Sequence, residues 1–288
     1  MKPIAILPAL CTLGNAFCGF LAISYGADAI SLLWRSDTPG DPATLAEFHQ
    51  LFASGCWLIL LANVFDALDG RLARMTKATS DFGAMLDSLC DMLSFGVAPA
   101  LMLKFLFEAE RLIAGHDPFK PKLVLLTCFL YVSCAAMRLA RFTAETEDNA
   151  DSHDFFKGLP SPAAAGFVVA GIMLFLQLGE PGATGWLSAQ RGTFLSVLVA
   201  MLPLLALLMV SRVRYVHVVN RFMRGRHPHA YLGQIVLVIL LLALVPEYAI
   251  ATLCVGYVVI CPVVALLEKL LKRPLWPAPP KAGDGAAS

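Results

Sequence analysis

Thr193–Val213 reads TFLSVLVAMLPLLALLMVSRV, and its only charge is Arg212, next to last. A helix needs about 20 predominantly apolar residues to cross the hydrocarbon core of a bilayer, and this stretch meets that length. Outward from it in both directions, similar stretches recur at about 10–33, 49–75, 82–107, 122–142, 162–179, 232–246 and 248–268. The last two are short and separated only by Pro246–Glu247, so they read as a tight helical hairpin. The whole chain agrees: of 288 residues 58% are hydrophobic and 15% charged, with mean hydropathy +0.71. Soluble domains carry more charge and less apolar surface, so an ordinary soluble enzyme, a disordered chain and a nucleic-acid binder are excluded. The alternation of apolar and polar residues that marks a membrane β-barrel is missing. The expected fold is all-α: a polytopic membrane bundle of about eight transmembrane helices.

Lys and Arg set the orientation. With the N-terminus in the cytoplasm, 16 of the 22 basic residues fall on the cytoplasmic side and six on the other. The six are Arg35, Lys104, Arg111, Lys120, Lys122 and Arg191. This bias obeys the positive-inside rule and predicts both termini in the cytoplasm. The eight cysteines all lie in apolar stretches without a C-x-x-C pair, and read as small packing residues. The first apolar stretch is too long for a cleavable signal peptide. Residues 271–288, rich in Pro, Gly and Ala, read as a disordered tail.

Charges interrupt helices two and three. Asn63–Arg74 reads NVFDALDGRLAR, and Asp81–Asp91 reads DFGAMLDSLCD. An ionised carboxylate at mid-bilayer costs about 2.5–3.5 kcal/mol on insertion scales, less toward the interface. Asp66 and Asp69 are three apart and Asp87 and Asp91 four apart, so each pair shares a helix face. A turn near Lys77–Ser80 makes the helices antiparallel neighbours, so that four carboxylates converge. Pairing with Arg71, Arg74 and Lys77 at the interface accounts for one such Asp, but poorly for four at these spacings. Oxygen-only ligands suit hard divalent ions such as Mg²⁺ or Mn²⁺, and two ions balance the charge. Gly70 lets a bulky substrate approach the backbone, Gly83 favours close helix packing, and Arg74 is placed to reach a phosphate.

Asp66 to Asp91 follows D-x2-D-G-x2-A-R-x8-G-x3-D-x3-D. This pattern resembles the signature of the CDP-alcohol phosphatidyltransferases. The resemblance implies two divalent metals, one on Asp66, Asp69 and Asp87 and the other on Asp66, Asp87 and Asp91. It further implies that Asp91 is the base for the acceptor alcohol, and that Gly70, Ala73, Arg74 and Gly83 shape and hold the CDP moiety. Homodimers are frequent in the family.

Further segments point to the acceptor. Pro8–Ile23 (PALCTLGNAFCGFLAI), Ser94–Leu103 (SFGVAPALML), Arg138–Phe142 (RLARF), Phe156–Gly166 (FKGLPSPAAAG) and Leu208–Tyr215 (LMVSRVRY) are similar to the integral-membrane phosphatidylserine synthases of bacteria and archaea. That similarity covers about residues 5–220. It implies a catalytic domain over 1–220, with 221–270 an additional C-terminal hairpin. The implied reaction transfers a phosphatidyl group from CDP-diacylglycerol to L-serine and releases CMP. Its place would be the cytoplasmic face of a bacterial inner membrane.

Arg138 and Arg141 share one face of helix four at the depth of the Asp cluster, with Lys157 in the next loop. An Arg fork suits a carboxylate, which serine carries. Ser161, between two prolines, reads as a helix cap. Asn15, in the middle of helix one, needs a polar partner, expected to be the nucleotide or helix two. His227 and His229 flank Pro228 in a basic loop, where metal binding is not expected, and His49, His116, His153 and His217 carry no constellation. Two alternatives compete. One is the same chemistry on glycerol 3-phosphate or an inositol phosphate, which needs a richer cationic pocket. The other is a divalent-cation transporter, which would place its acidic residues at mid-membrane on several helices.

Overall fold

Small residues mark the side of the first helix that faces inward. The first helix, α1 (Ile6–Arg35), buries Thr12, Asn15, Cys18, Gly19, Ala22, Gly26, Ala29 and Leu33 at three- and four-residue steps. Its other side exposes Leu10, Leu13, Phe17 and Phe20. Lipid tails are as apolar as these side chains, so burying them gains little; close packing through small residues gains more.

The computed structural model describes residues 6–76, 81–115, 119–148, 155–179, 190–211, 214–216 and 244–271. After α1 come α2 (Pro42–Thr76), α3 (Asp81–Asp91), a π-helical turn (Met92–Val97) and α4 (Ala98–Ala114). Then follow α5 (Pro121–Asp148), β1 (Phe155–Lys157), α6 (Ser161–Leu178), α7 (Arg191–Val210), β2 (Arg214–Val216) and α8 (Pro246–Leu271). Asp41 starts α2, its carboxylate accepting from the Ala43 N–H at 3.2 Å. Gly115 ends α4 in the left-handed region at φ 64°, its N–H donating to the Arg111 carbonyl.

Among the described residues, seven helices are long and apolar enough to cross a membrane, with α3, the π turn and α4 forming one span over Phe82–Ile113. They fall on seven of the eight expected stretches. The remaining one, 232–246, lies almost wholly outside the described residues, as do the turn at Lys77–Ser80, His227, His229 and the tail from 272. The all-α expectation holds for every span among the described residues, with one short addition. Helix α7 stops at Val210, short of the expected 213, and Arg214–Val216 pairs antiparallel with Phe155–Lys157. The β-branched and aromatic pair Tyr215–Val216 suits a strand, and residues 155–157 offer it an edge.

Helix α1 packs against α2, α3, α4 and the π turn. Its closest approach is at Gly19, where an added Cβ would sit 2.8 Å from the Ser94 Cα. Gly26 is similarly tight, 2.7 Å from the Met102 sulfur. Six of the eight cysteines are buried. Gly19→Ala is therefore expected to cost about 1–3 kcal/mol through overpacking, read as a lower melting temperature in detergent. An unchanged melting temperature would show that α1 can retreat freely.

Candidate active site

Asp66 and Asp69 sit in the last turns of α2, and Asp87 and Asp91 in the last turns of α3. One carboxylate oxygen each from Asp66, Asp69 and Asp87 lies within 4.8 Å of the others. Asp69 is buried, and Asp66 and Asp87 are half-buried. Like charges at this separation repel strongly in a medium poorer than water at screening. Asp69 Oδ2 and Asp87 Oδ1 are also buried without a hydrogen-bond partner. Leaving a buried acceptor unsatisfied costs about 1–3 kcal/mol, and more for a charged group. A hard divalent cation removes both penalties, so this donor set fits one.

Asp91 lies beside that triplet without being one of the three. It is buried, and its Oδ1 accepts from the Asn15 Nδ2 at 2.9 Å. Asn15 is itself fixed through its backbone carbonyl, which accepts from Ser94 Oγ at 2.9 Å. The expectation for Asn15 is thus corrected: its protein partner is α3, not α2. The reason is the close approach of α1 to the π turn at Gly19–Ser94, which brings Asn15 level with Asp91. The Asn15 Oδ1 is buried without a partner, and any contact to a nucleotide would have to be made there. Asp91 remains within electrostatic reach of Asp66, Asp87 and Asp69.

The cationic side comes from α5. Arg138 is half-buried, lies within electrostatic reach of Asp91 and Asp66, and donates from Nη1 to Ser161 Oγ. Ser161 does not cap α6; its hydroxyl accepts from Arg138 instead. Gly158, at φ 88°, makes this placement possible. A side chain there would run into the Met209 carbonyl, so the chain can turn tightly against α7 just before Ser161. The Leu159 N–H then donates to the Leu208 carbonyl at 3.0 Å. Arg141 stands three residues beyond Arg138, half-buried. The side chains of Lys157, Arg74 and Ala73 lie outside the described residues. Gly70 is exposed, and a Cβ added to it would meet nothing within 4 Å. Gly83 is half-buried in the first turn of α3.

Three contributors escaped the sequence reading. Thr12 lies against Asp69, with its hydroxyl also 3.0 Å from the Pro8 carbonyl. Ser94 anchors Asn15. Tyr131, fully buried, donates to the Phe95 carbonyl of the π turn at 3.1 Å. Thr12 had a readable signal, being three residues before Asn15 on one face of an apolar helix.

A family model described as CDP-alcohol phosphatidyltransferase matches residues 5–202. The CDP-diacylglycerol–serine O-phosphatidyltransferase of Helicobacter pylori is 33% identical over 220 residues, covering 75% of this chain and 73% of its own. The protein of that name from Methanocaldococcus jannaschii is 34% identical over 204 residues, covering 70% and 79%. Its namesake from Mycobacterium tuberculosis is 38% identical over 142 residues, covering 48% and 44%.

Proposed function

The chain belongs to the CDP-alcohol phosphatidyltransferase family, and on that premise we propose that it transfers the phosphatidyl group of CDP-diacylglycerol to L-serine, releasing CMP. The observation that carries this reading is the meeting of Asp66, Asp69 and Asp87 within 4.8 Å, with Asp91 held beside them by Asn15. The names of the relatives favour serine. So does a half-buried arginine, a group suited to a carboxylate, facing the acidic cluster.

The residues divide the work. Asp66, Asp69 and Asp87 hold one divalent ion, Mg²⁺ or Mn²⁺, and Asp66, Asp87 and Asp91 a second. When bound, the ions supply charge neutralisation on the diphosphate and on the departing CMP. The open surface beside Gly70 admits the diphosphate against the backbone, with Arg74, Ala73, Gly83 and Asn15 around the CDP moiety. Arg138, Arg141 and Lys157 bind the serine carboxylate. The serine oxygen attacks the phosphatidyl phosphorus, the bond from that phosphorus to CMP breaks, and Asp91 takes the hydroxyl proton. The sequence offers no evident covalent nucleophile, so attack is direct. The bias of basic residues supports a site at the cytoplasmic face of the membrane.

The test offers purified protein CDP-diacylglycerol, divalent metal and either serine, glycerol 3-phosphate or inositol phosphate, and measures CMP release. Serine-dependent release is expected, and release with a phosphorylated acceptor alone would overturn the reading. Losing a charge-assisted hydrogen bond costs about 1.5–3 kcal/mol, so Arg138→Ala is expected to raise the serine KM at least about tenfold. Arg141→Ala should also raise the serine KM more than the CDP-diacylglycerol KM. The reverse order for either variant would move that arginine out of the acceptor pocket.

A further inference from the structure

Helix α8 lies beyond the residues that the family model matches, and the mechanism above does not use it. It is nevertheless built onto the site. Ala251, Val258 and Cys261 are buried and Cys254 and Tyr257 half-buried, at three- and four-residue steps along one face. The other face exposes Leu253, Val255, Val259, Ile260 and Val263. The inward face packs on α6. At Gly166 an added Cβ would sit 3.1 Å from the Cys254 sulfur. Tyr257 is one turn beyond Cys254, and Ser161, five residues before Gly166, opens α6. Helix α8 also touches β2, whose partner strand β1 leads into Gly158 and Ser161. It therefore braces the segment that carries the Ser161 hydroxyl.

Arg138 is where these elements meet. It has Ser161 of α6 as a hydrogen-bond partner and Asp91, Asp66, Tyr257 and Tyr131 within electrostatic reach. Tyr131 has its proton committed to Phe95. A guanidinium carries five N–H groups in a fixed plane, and gripping a carboxylate takes two of them side by side. The plane must therefore be held from behind as well as at its edge. Ser161 supplies the edge, and the α8 face that carries Cys254 and Tyr257 packs against the helix that Ser161 opens.

We propose that Tyr257 is a positioning residue for the acceptor, which keeps the Arg138 guanidinium presented to the carboxylate of serine, so that α8 completes the acceptor pocket. This rests on the proposed role of Arg138 in binding serine.

The experiment compares full-length wild type, Tyr257→Phe, Arg138→Lys and the double variant, each in lipid nanodiscs. Initial rates of CMP release are measured while serine and CDP-diacylglycerol are varied in turn. Tyr257→Phe should raise the serine KM about tenfold or more, the scale of one charge-assisted hydrogen bond. The CDP-diacylglycerol KM and the melting temperature should stay near wild type. In the Arg138→Lys background the same change should add almost nothing, because residues acting through one another are not additive. A wild-type serine KM in Tyr257→Phe overturns the inference, and so does an equal rise in both KM values. Wild-type protein that releases no CMP with serine overturns the proposed function and this inference together. Serine-dependent wild-type activity with an unmoved Tyr257→Phe overturns this inference alone.

Discussion

Asp91→Asn is expected to abolish turnover and leave the protein folded and able to bind CDP-diacylglycerol. The substitution keeps the shape, and the amide oxygen can still accept from Asn15 where the carboxylate now does at 2.9 Å. What disappears is the ability to take a proton, together with one anionic ligand of the second ion. A positioned general base contributes about 10²–10⁴-fold, so kcat should fall by about 10³. Asp91 lies within electrostatic reach of three other carboxylates, so the variant also removes repulsion and should melt no lower than wild type. Asn15→Ala gives the contrast. It leaves the proton acceptor present but unheld, and should cost about tenfold to a hundredfold, in line with loss of a supporting hydrogen bond at a site. The check is CMP release beside binding of labelled CDP-diacylglycerol. Turnover in Asp91→Asn above a tenth of wild type would remove Asp91 from the role of base.

The sequence carries the spans more clearly than their contacts. A window of apolar residues marks a helix that can cross a bilayer whatever it packs against, which is why seven expected stretches reappear as spans. Hydropathy does not say which side faces in, because Leu13 on the lipid side and Ala22 inside both count as apolar. Size carries that information, at Gly19, Ala22 and Gly26. The π turn is invisible for a related reason. It adds one residue to a helical turn without a change of composition, yet it frees the Phe95 carbonyl for Tyr131 and turns Ser94 toward Asn15.

The site shows the same division. Spacing put Asp66 with Asp69 and Asp87 with Asp91 on shared helix faces. It could not show that Asn15 holds Asp91, because that depends on α1 approaching α3 across 76 residues of sequence. Ser161 was misread as a cap because its local setting, Pro160 and Pro162, is that of a helix start. Its actual partner, Arg138, is 23 residues away.

Asp87→Asn is expected to reverse sign with metal. In wild type the carboxylates of Asp66, Asp69 and Asp87 are crowded within 4.8 Å, and Asp69 Oδ2 and Asp87 Oδ1 are buried without partners. Without a cation that arrangement is strained by repulsion and desolvation. Removing one charge should therefore raise the melting temperature in chelator. With Mn²⁺ present the order should invert. A ligand that binds only the folded state stabilises it by about 2.7 kcal/mol at a hundred times its Kd. Wild type gains this, and the variant, lacking one of three anionic donors, gains little. Supporting groups around metal ligands already cost about tenfold to a hundredfold in affinity when removed, and a direct ligand should cost at least that. Turnover should fall with metal affinity, and chelation should stop wild-type turnover reversibly. Electron paramagnetic resonance of Mn²⁺, titrated into both proteins with CMP present, measures binding without reference to activity. Identical melting of wild type with and without Mn²⁺ would show that the three carboxylates tolerate one another unaided. The charge argument for a metal at Asp66, Asp69 and Asp87 would then fail.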